Sequence, residues 1–337
     1  MSVREIASET HEAGRNNDMC VKSPLWRTKR VDAQNIDIMR SFGEKERSCE
    51  MTFQKCLPCW HTYTRGKETP VIFANDNDMA LVMNIIAQAA YLFTGKVVII
   101  AFAVMNNHLH FVLSGDGHWV NEMMSFIWKR IRRVFGQSRT FPYASKPIED
   151  INSMRNHIAY VHRNGYVANH NYTPFSYLWG SGAYYFMPER TGTPFSRITS
   201  IDNRSMFRSR DVKLPPDWQV LDGHIAPPSF CDIALGMAMF RDAHHYFSAV
   251  SKNVEAYSEI AVEIGDGEFL TDQELFTQVL KIVREKYRLA STKNLTGAQR
   301  IDLARTLHYD YRSSNRQIRR ILGLSQYEVD SLFPMGK

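Results

Sequence analysis

The chain has 337 residues, a formal net charge of +6 and 44% hydrophobic residues. This length allows one large domain or two medium ones, and no apolar run approaches the roughly 20 residues of a membrane-spanning helix. Because the N-terminus is also too polar for a signal peptide, we expect a cytoplasmic protein with no membrane partner. The excess positive charge points weakly to a polyanionic partner, since an even surface excess would give the same sum.

The five cysteines do not form a recognisable framework. Cys56 and Cys59 are close in sequence, but no second pair stands at the spacing of a structural zinc site. Buried free thiols in a reducing compartment are therefore the favoured interpretation.

The first half of the chain predicts an arm followed by an α+β domain. Residues 1–50 are polar, charged and without sustained periodicity, which predicts a mobile arm or a loose accessory segment with no identifiable chemistry. In 51–186 we first predict a strand near 57–64 and a helix from about Asp78 to Phe93, capped by Asn75 or Asp76. A buried strand at 97–104 follows, with a hairpin turn at Asn106 and Asn107 and a second strand. The last predicted elements are a helix from about Trp119 to Phe135, an edge strand near 141–148 and a helix from Asp150 to about Gly165. This order predicts a ferredoxin-like antiparallel sheet backed by helices.

The predicted helix from Trp119 to Phe135 carries a dense cluster of positive charge. Its cations are interleaved with apolar residues that would face a core, and they are Lys129, Arg130, Arg132 and Arg133. A solvated helix face and a phosphate-binding surface are equally good interpretations of the cluster alone. The second is favoured only if the site nearby handles nucleic acid.

Two histidines on the predicted second strand of the hairpin, His108 and His110, are the strongest indication of a functional site. Side chains two residues apart on a strand point to the same face, so the two imidazoles converge. Imidazole is a common ligand of divalent metal ions, and this pair would supply two ligands. The competing interpretation is two histidines on a solvent-facing strand.

The helix that starts at Asp150 offers a phenol and an amide at matching spacing. One stripe is apolar and suited to packing on the sheet, and consists of Ile151, Met154, Ile158 and Val161. Another stripe carries His157, Tyr160 and Asn164, of which the last two are helix neighbours at i and i+4. If they lie over the histidine strand, the amide oxygen of Asn164 completes a three-ligand site beside the phenol. Otherwise Tyr160 occupies an ordinary amphipathic position.

The remainder of the chain is expected to form a connector and a helical region. Residues 187–228 are rich in Arg, Pro and Ser, which predicts a connector whose arginines are available to phosphates. These arginines are Arg190, Arg197, Arg204, Arg208 and Arg210. Residues 229–337 are expected to be all-α.

Near 298–333 the helix signals have the spacing of a helix-turn-helix. We predict a helix from Ala298 to Tyr309, a second from Arg316 to Leu322 capped by Ser313 or Ser314, and a third from Gln326 to Phe333, with a core of Ile318, Ile321, Leu324, Val329 and Leu332. Arg319 and Arg320 are the candidate DNA contacts. A compact helical bundle is the alternative, because Glu328 and Asp330 on the third helix are unfavourable near phosphates.

Five motifs in 55–186 resemble, in order and spacing, the single-tyrosine HUH transposases and among them the REP-associated tyrosine transposases. They are Cys59-Trp-His-Thr-Tyr-Thr-Arg-Gly66, Val71-Ile-Phe-Ala-Asn-Asp-Asn-Asp78, Ala103-Val-Met-Asn-Asn-His-Leu-His-Phe-Val-Leu113, Tyr160-Val-His-Arg-Asn164 and Tyr172-Thr-Pro-Phe-Ser-Tyr-Leu-Trp-Gly-Ser181. The chain departs from this family at Asn106, where proline is usual, and at Gly165, where proline usually follows the asparagine. The second departure concerns how the chain leaves the helix, since proline forbids its continuation.

The resemblance implies an HUH endonuclease fold in 51–186 and a DNA-processing mechanism. His108, His110 and Asn164 would bind Mg²⁺ or Mn²⁺, and Tyr160 would attack a phosphodiester of single-stranded or hairpin DNA to form a 5′-phosphotyrosine. His157 is a candidate general base. Such an enzyme is expected to be a monomer or a homodimer.

Two other functions remain open from the sequence. A catalytically silent or domesticated relative would bind DNA through the same fold and the helix-turn-helix without cleaving it. An unrelated metallohydrolase would use the histidine pair with zinc and would be indifferent to Tyr160, although no acidic partner stands near the pair in the sequence.

Overall fold

The computed structural model describes residues 33–64, 69–136, 142–168, 172–187, 190–252, 257, 260–261, 264, 270–311 and 313–333. Most of the expected N-terminal arm, the motif residues Arg65 and Gly66, and Phe141 at the start of the expected edge strand lie outside this set. The chain divides into two compact units, Met1–Ser41 and Phe42–Lys337, and the site lies in the second. Among the described helices, none is long and apolar enough to cross a membrane.

A four-stranded antiparallel sheet carries the site, with the strand order β2-β3-β1-β4. Its strands are β1 (Cys59–Thr64), β2 (Val97–Val104), β3 (Leu109–Gly115) and β4 (Tyr143–Ile148). The hairpin predicted around Asn106 and Asn107 joins β2 to β3. The predicted edge strand is β4, which pairs with β1 alone among the described strands.

Helices cover both faces of this sheet, and they are α2 (Asp76–Leu92), α3 (Gly117–Phe135) and α4 (Ile151–Ala168). Asn75 caps α2 by accepting a hydrogen bond from the backbone N–H of Asp78, as the sequence predicts. The helices α2 and α3 pack on the face that carries Phe102, Phe111 and Leu113. The helix α4 packs on the opposite face, and its predicted apolar stripe is buried there. One face of the sheet is therefore covered by α2 and α3, and the other by α4.

Helix α1 (Ala33–Cys56) crosses the boundary expected between the arm and the domain. From Phe42 onward it belongs to the second unit, and Cys49, Phe53 and Cys56 are buried on one side of it. Three apolar positions at i, i+4 and i+7 are enough to dock a helix, but they are too sparse to reveal periodicity in a charged sequence. Residues 33–50 are therefore helical, which differs from a mobile arm and was not expected from the sequence.

Residues 190–228 form more than the expected connector. They contain a three-stranded sheet and one helix: β5 (Thr193–Pro194), α5 (Ser200–Phe207), β6 (Gln219–Leu221) and β7 (His224–Ile225). Asn84 of α2 fixes this layer, because its Nδ2 donates to the carbonyls of Met206 and Gly223 and its Oδ1 accepts from the N–H of Ile225. The short strands and the single buried amide give little periodic signal in sequence.

The C-terminal region is helical, as expected. The helices of its described residues are α6 (Ile233–Met237), α7 (Ala243–Lys252), α8 (Asp272–Lys286), α9 (Gly297–Tyr309), α10 (Asn315–Leu322) and α11 (Gln326–Leu332). Ser314 caps α10 and Ser325 caps α11, with Gly323 in the left-handed conformation between them. Residues of these helices share one hydrophobic cluster with α4. The region therefore continues the core of the sheet domain.

Candidate active site

The two predicted ligand histidines lie together at the start of β3. His110 is a strand residue, whereas His108 precedes Leu109, the first residue of the strand, and ends the hairpin turn. Their ring centroids are 4.9 Å apart. His110 pairs across the sheet with Tyr63 of β1, which is buried in the cluster that contains α4. The pair therefore lies on the α4 face of the sheet.

The protonation of His108 is determined by its neighbour Asn107. The Nδ2 of Asn107 donates to the carbonyl of Thr69 over 2.9 Å, so its Oδ1 faces the imidazole. That oxygen lies 2.6 Å from Nδ1 of His108. Because an amide oxygen only accepts, Nδ1 of His108 carries the proton and Nε2 carries the lone pair. This is the form in which an imidazole binds a metal ion through Nε2.

Helix α4 brings Tyr160 beside the histidines, as the sequence predicts. The phenol ring lies 5.8 Å from the ring of His110 and 6.0 Å from that of His61, between centroids. Tyr160 is only 3% exposed. The nucleophile predicted from the sequence is therefore adjacent to the histidines and enclosed.

Asn164 is half-buried one turn further along α4, and its Nδ2 donates to the carbonyl of Tyr160 over 3.0 Å. This bond leaves Oδ1 as the atom of the side chain that would bind a metal ion. Among the described residues, no three His, Cys, Asp or Glu side chains form a group that could hold a metal ion. The set of two imidazoles and one amide oxygen expected from the sequence remains a prediction.

Two more imidazoles surround this pair. His61 of β1 is fully buried, and its Nε2 lies 3.2 Å from Nδ1 of His110. His157 of α4 donates from Nδ1 to the carbonyl of Ser153 over 2.8 Å, and its ring meets that of His61 with centroids 4.9 Å apart. Burial lowers the pKa of His61 well below its ordinary value and also lowers the pKa of His157. Both imidazoles are therefore neutral at neutral pH.

His61 is the site residue that sequence reasoning missed. The alternation of Cys59, His61 and Tyr63 on β1 is visible in the sequence and places all three on one face. What the sequence does not show is that β1 lies next to β3, which brings His61 to His110. His61 was therefore missed because its contact with His110 depends on a strand pairing between residues far apart in the sequence.

A polar cleft of about 290 Å³ opens beside His157. Its lining consists of Lys146, Pro147, Glu149, Asp150, Ser153 and His157. Lys146 pairs with His61 across β1 and β4, so it belongs to the same face of the sheet as the imidazoles. Burial lowers the pKa of Lys146. The cleft therefore reaches the imidazole cluster at His157.

The basic cluster of α3 lies on the other side of the sheet. Lys129 and Arg133 are exposed, whereas Arg130 donates to the carbonyl of Phe207 over 2.6 Å and Arg132 is half-buried. Because α3 and α4 pack on opposite faces, these cations are not part of the site around Tyr160. Contact of these cations with DNA stays a prediction, separate from the chemistry around Tyr160.

The two arginines predicted to contact DNA in the C-terminal region have protein partners. Arg319 donates to Oε1 of Gln326 over 3.0 Å. Arg320 forms a bidentate pair with Asp272 of α8 at 2.6 and 2.8 Å. Arg320 thus joins α10 to α8 in addition to any contact it makes with a ligand.

Comparisons with known proteins add little to this geometry. No family model matches the chain, and no curated protein matches it. A solved structure of a REP-associated tyrosine transposase bound to a REP hairpin aligns with 49% of this chain and 93% of that chain, at 11% identity and a TM-score of 0.30. A likeness of this size decides neither the fold nor the function.

Proposed function

We propose that this protein is a metal-dependent enzyme that cleaves and rejoins single-stranded or hairpin DNA through Tyr160. The observation that carries the proposal is the convergence of His108, His110 and Tyr160 on one face of the sheet, from a hairpin and a helix far apart in sequence. The connections and strand order of the sheet agree with a ferredoxin-like HUH fold, which the motif resemblance implies.

The donor atoms fit a divalent ion such as Mg²⁺ or Mn²⁺. The ion would be held by His108 Nε2, His110 Nε2 and Asn164 Oδ1. Asn107 fixes the required form of His108, and the backbone carbonyl of Tyr160 accepts from Nδ2 of Asn164, so Oδ1 is left as the ligand atom. When bound, the ion would stabilise negative charge that develops on a nonbridging oxygen of the scissile phosphate.

The residues of the chain then perform a phosphoryl transfer. The Oη of Tyr160 loses its proton and attacks phosphorus, and the bond from phosphorus to the 3′ oxygen breaks. That oxygen takes up a proton, so the strand is left with a 3′-hydroxyl and a 5′-phosphotyrosine. His157 is suited to accept the phenolic proton, because its Nδ1 donates to Ser153 and its Nε2 therefore carries the lone pair. Attack by a 3′-hydroxyl on the phosphotyrosine reverses the step and rejoins DNA without ATP.

Cleavage also requires the site to open. Tyr160 is 3% exposed and Tyr63 is equally buried, so a phosphodiester cannot reach either phenol in this conformation. The polar cleft beside His157 is the nearest described route. We therefore expect strand binding to expose Tyr160.

Covalent adduct formation tests the proposal. The wild-type protein is incubated with end-labelled single-stranded and hairpin oligonucleotides in Mg²⁺ or Mn²⁺, and denaturing electrophoresis detects the protein–DNA adduct. Tyr160→Phe should abolish the adduct. Tyr63→Phe is the matched control, because Tyr63 is also buried with its ring 6.3 Å from that of His110.

The outcomes separate the candidate chemistries. An undiminished adduct with Tyr160→Phe would refute the proposal. Loss of the adduct only with Tyr63→Phe would identify Tyr63 of β1 as the nucleophile. Zinc-dependent hydrolysis that is indifferent to both substitutions would favour the metallohydrolase.

A second candidate function, DNA binding without cleavage, is favoured by the geometry of α10 and α11. The predicted core residues Ile318, Leu324 and Val329 are buried, and the helices are joined by the predicted turn. The two carboxylates that argue against DNA binding face protein partners. Glu328 accepts from Ser325 at the start of α11, and Asp330 accepts from Asn315 and Gln326.

The helix-turn-helix proposal is tested by DNA binding in the absence of cleavage. Arg319→Ala should weaken binding measured by fluorescence anisotropy, whereas Tyr160→Phe should leave binding intact. If the wild-type protein binds DNA but forms no adduct with either metal ion, the silent DNA-binding function is the correct one.

A further inference from the structure

A buried pair of imidazoles connects β1 to the proposed metal site. His61 and His110 lie on the same face of neighbouring strands, and His61 Nε2 is 3.2 Å from His110 Nδ1. Both residues are fully buried. In a neutral pair one nitrogen donates and the other accepts, so the direction of this hydrogen bond determines the tautomer of His110.

The two directions have opposite consequences for a metal ion. If His110 donates from Nδ1, its Nε2 carries a lone pair that a metal ion can bind. If His61 donates from Nε2, the proton of His110 resides on Nε2 and an N–H occupies the position of the ligand bond. The choice is therefore a condition for the proposed site.

His157 favours the first direction. Its Nδ1 must donate to the carbonyl of Ser153, which leaves a lone pair on Nε2. The ring of His157 meets the ring of His61 edge to face, with an interplanar angle of 72°. His61 Nδ1 and His157 Nε2 are buried, and neither has a hydrogen-bond partner among the described residues.

His61 Nδ1 and His157 Nε2 form no hydrogen bond, but a proton on His61 Nδ1 would place an N–H, and not a second lone pair, in the ring beside the lone pair of His157. The opposite arrangement would place two buried lone pairs on neighbouring imidazoles with no donor for either, which is unfavourable in a low-dielectric interior. A neutral His61 with its proton on Nδ1 has its lone pair on Nε2, and it must then accept from His110.

His108 shows the same arrangement with a different acceptor. There the oxygen of Asn107 accepts from Nδ1 and leaves the lone pair on Nε2. The two histidines would then be prepared for a metal ion in the same way, one by an amide and the other by an imidazole.

We propose that His61 is a positioning residue that accepts a hydrogen bond from Nδ1 of His110 and so holds His110 in the tautomer that binds metal through Nε2. This inference deepens the proposed function and rests on its metal site. It assigns His61 no contact with DNA.

The tautomer of His110 tests the inference in metal-free protein. Histidine labelled with ¹⁵N is incorporated, and long-range proton–nitrogen NMR correlations identify the protonated nitrogen, with His110→Gln used to assign the resonance. We expect the proton on Nδ1 in the wild-type protein. A proton on Nε2 would overturn the inference whether or not the protein cleaves DNA.

Two substitutions of His61 separate hydrogen bonding from packing. The Oε1 of His61→Gln can accept from His110, whereas His61→Phe fills the same space without an acceptor. We expect His61→Gln to keep the Nδ1 proton and the Mn²⁺ affinity near wild type, and His61→Phe to lose the tautomer preference and weaken Mn²⁺ binding about 10- to 100-fold. Mn²⁺ binding is measured by electron paramagnetic resonance, with thermal unfolding in parallel.

Each result bears on a separate statement. If His61→Phe keeps wild-type Mn²⁺ affinity, or if His61→Gln behaves like His61→Phe while folded, His61 does not act through hydrogen bonding and the inference fails. If His61→Phe does not fold, the wild-type tautomer still decides. If the tautomer and the Mn²⁺ affinities follow the expectation but no adduct forms with DNA, the inference stands and the proposed function fails.

Discussion

Gly165 follows the candidate ligand Asn164 inside α4, and the ring of Tyr177 packs against its α-carbon. A Cβ at this position would overlap the ring atoms. The ring cannot easily withdraw, because the Oη of Tyr177 donates to the carbonyl of Val104 on β2 over 2.6 Å. The helix continues to Ala168, so Gly165 does not terminate it as the sequence suggested. The glycine instead permits a close approach to the segment after α4.

Gly165→Ala should therefore destabilise the protein. Overpacking of a filled core costs about 1 to 3 kcal/mol, and this cost should exceed the gain in helix propensity. Urea unfolding measures the free energy. The control is Gly43→Ala in α1, where a Cβ meets no atom within 4 Å and where stability should rise by up to about 1 kcal/mol. Equal stability changes in the two variants would contradict the close packing of Tyr177.

Single residues of the site differ in how visible they are in the sequence. His108 and His110 follow from strand alternation, and Tyr160 follows from helical spacing, because both periodicities are local. The role of Asn107 in orienting His108 depends on the carbonyl of Thr69, and the role of His61 depends on the adjacency of β1 and β3. Contacts of this kind need the tertiary structure.

Among the elements, α4 has neighbours on several sides. One side packs on the sheet, and another carries two buried arginines. Arg155 pairs with Glu46 of α1 at 2.6 Å, and Arg163 pairs with Glu274 of α8 at 2.7 Å. His162, next to Arg163 in the sequence, is also buried. Its Nδ1 lies 2.9 Å from the Oη of Tyr246, and its Nε2 lies 2.8 Å from the Oγ of Ser181. The helix is thereby fixed to α1, α7 and α8.

His162 should make stability fall in acid. Burial lowers its pKa from 6.5 to about 3. Below pH 6.5 the unfolded chain binds a proton at this residue and the folded chain does not, so the free energy of unfolding falls as the pH drops toward 3, by up to about 1.4 kcal/mol per pH unit. Above pH 6.5 the residue contributes no pH dependence.

The measurement is urea unfolding between pH 7.5 and 4.5. His162→Gln should be less stable at pH 7.5, because a glutamine cannot satisfy both partners, but its stability should fall less steeply with acid. His118→Gln, at an exposed position of α3, serves as the control for the loss of a histidine that is not enclosed. An unchanged slope in His162→Gln would show that His162 is not the source of the acid sensitivity.

The elements that the sequence predicted well are those with caps and clear periodicity. Helices α2 and α9 to α11 begin at capping residues visible in the sequence, and the hairpin of β2 and β3 has a strongly β-branched first strand. Helix α1 and the small sheet were missed because their apolar contacts are few and distant in sequence. The pairing order of the four strands was predictable only through the fold class.

At the scale of the whole molecule, the basic cluster of α3 and the candidate active site lie on opposite faces of the central sheet. The exposed cations of α3, Lys129 and Arg133, lie on the side of α2 and α5. Arg208 follows Phe207, whose carbonyl binds Arg130, and is also exposed. A DNA strand in the site would have to pass around an edge of the sheet to reach these cations.

Binding and cleavage should therefore respond separately to charge removal on α3. The double substitution Lys129→Ala, Arg133→Ala should leave cleavage of a short oligonucleotide unchanged. It should reduce the salt dependence of binding to a long hairpin, by up to about 2 in the slope of log affinity against log salt. The binding affinity is measured by fluorescence anisotropy at salt concentrations between about 50 and 200 mM.

The matched control removes two exposed cations from α8, Lys281→Ala with Arg284→Ala. It should leave cleavage and the hairpin slope unchanged. If the α3 variant impairs cleavage of the short oligonucleotide while folded, then the cations of α3 act on the site in spite of their position. If neither variant changes the slope, α3 is a solvated face.

The two buried arginines of α4 have a consequence for how segments of this protein can be exchanged. Their acidic partners belong to α1 and α8 and lie outside 51–186, one on each side of it in the sequence. Removing one partner from such a pair leaves an uncompensated buried charge, at a cost of about 3 to 5 kcal/mol. A fragment limited to 51–186 would lack both carboxylates at once. Recombination that exchanges the C-terminal helices would also have to replace Arg163 on the helix that carries Tyr160, so α4 and the flanking regions are expected to be transmitted as one unit.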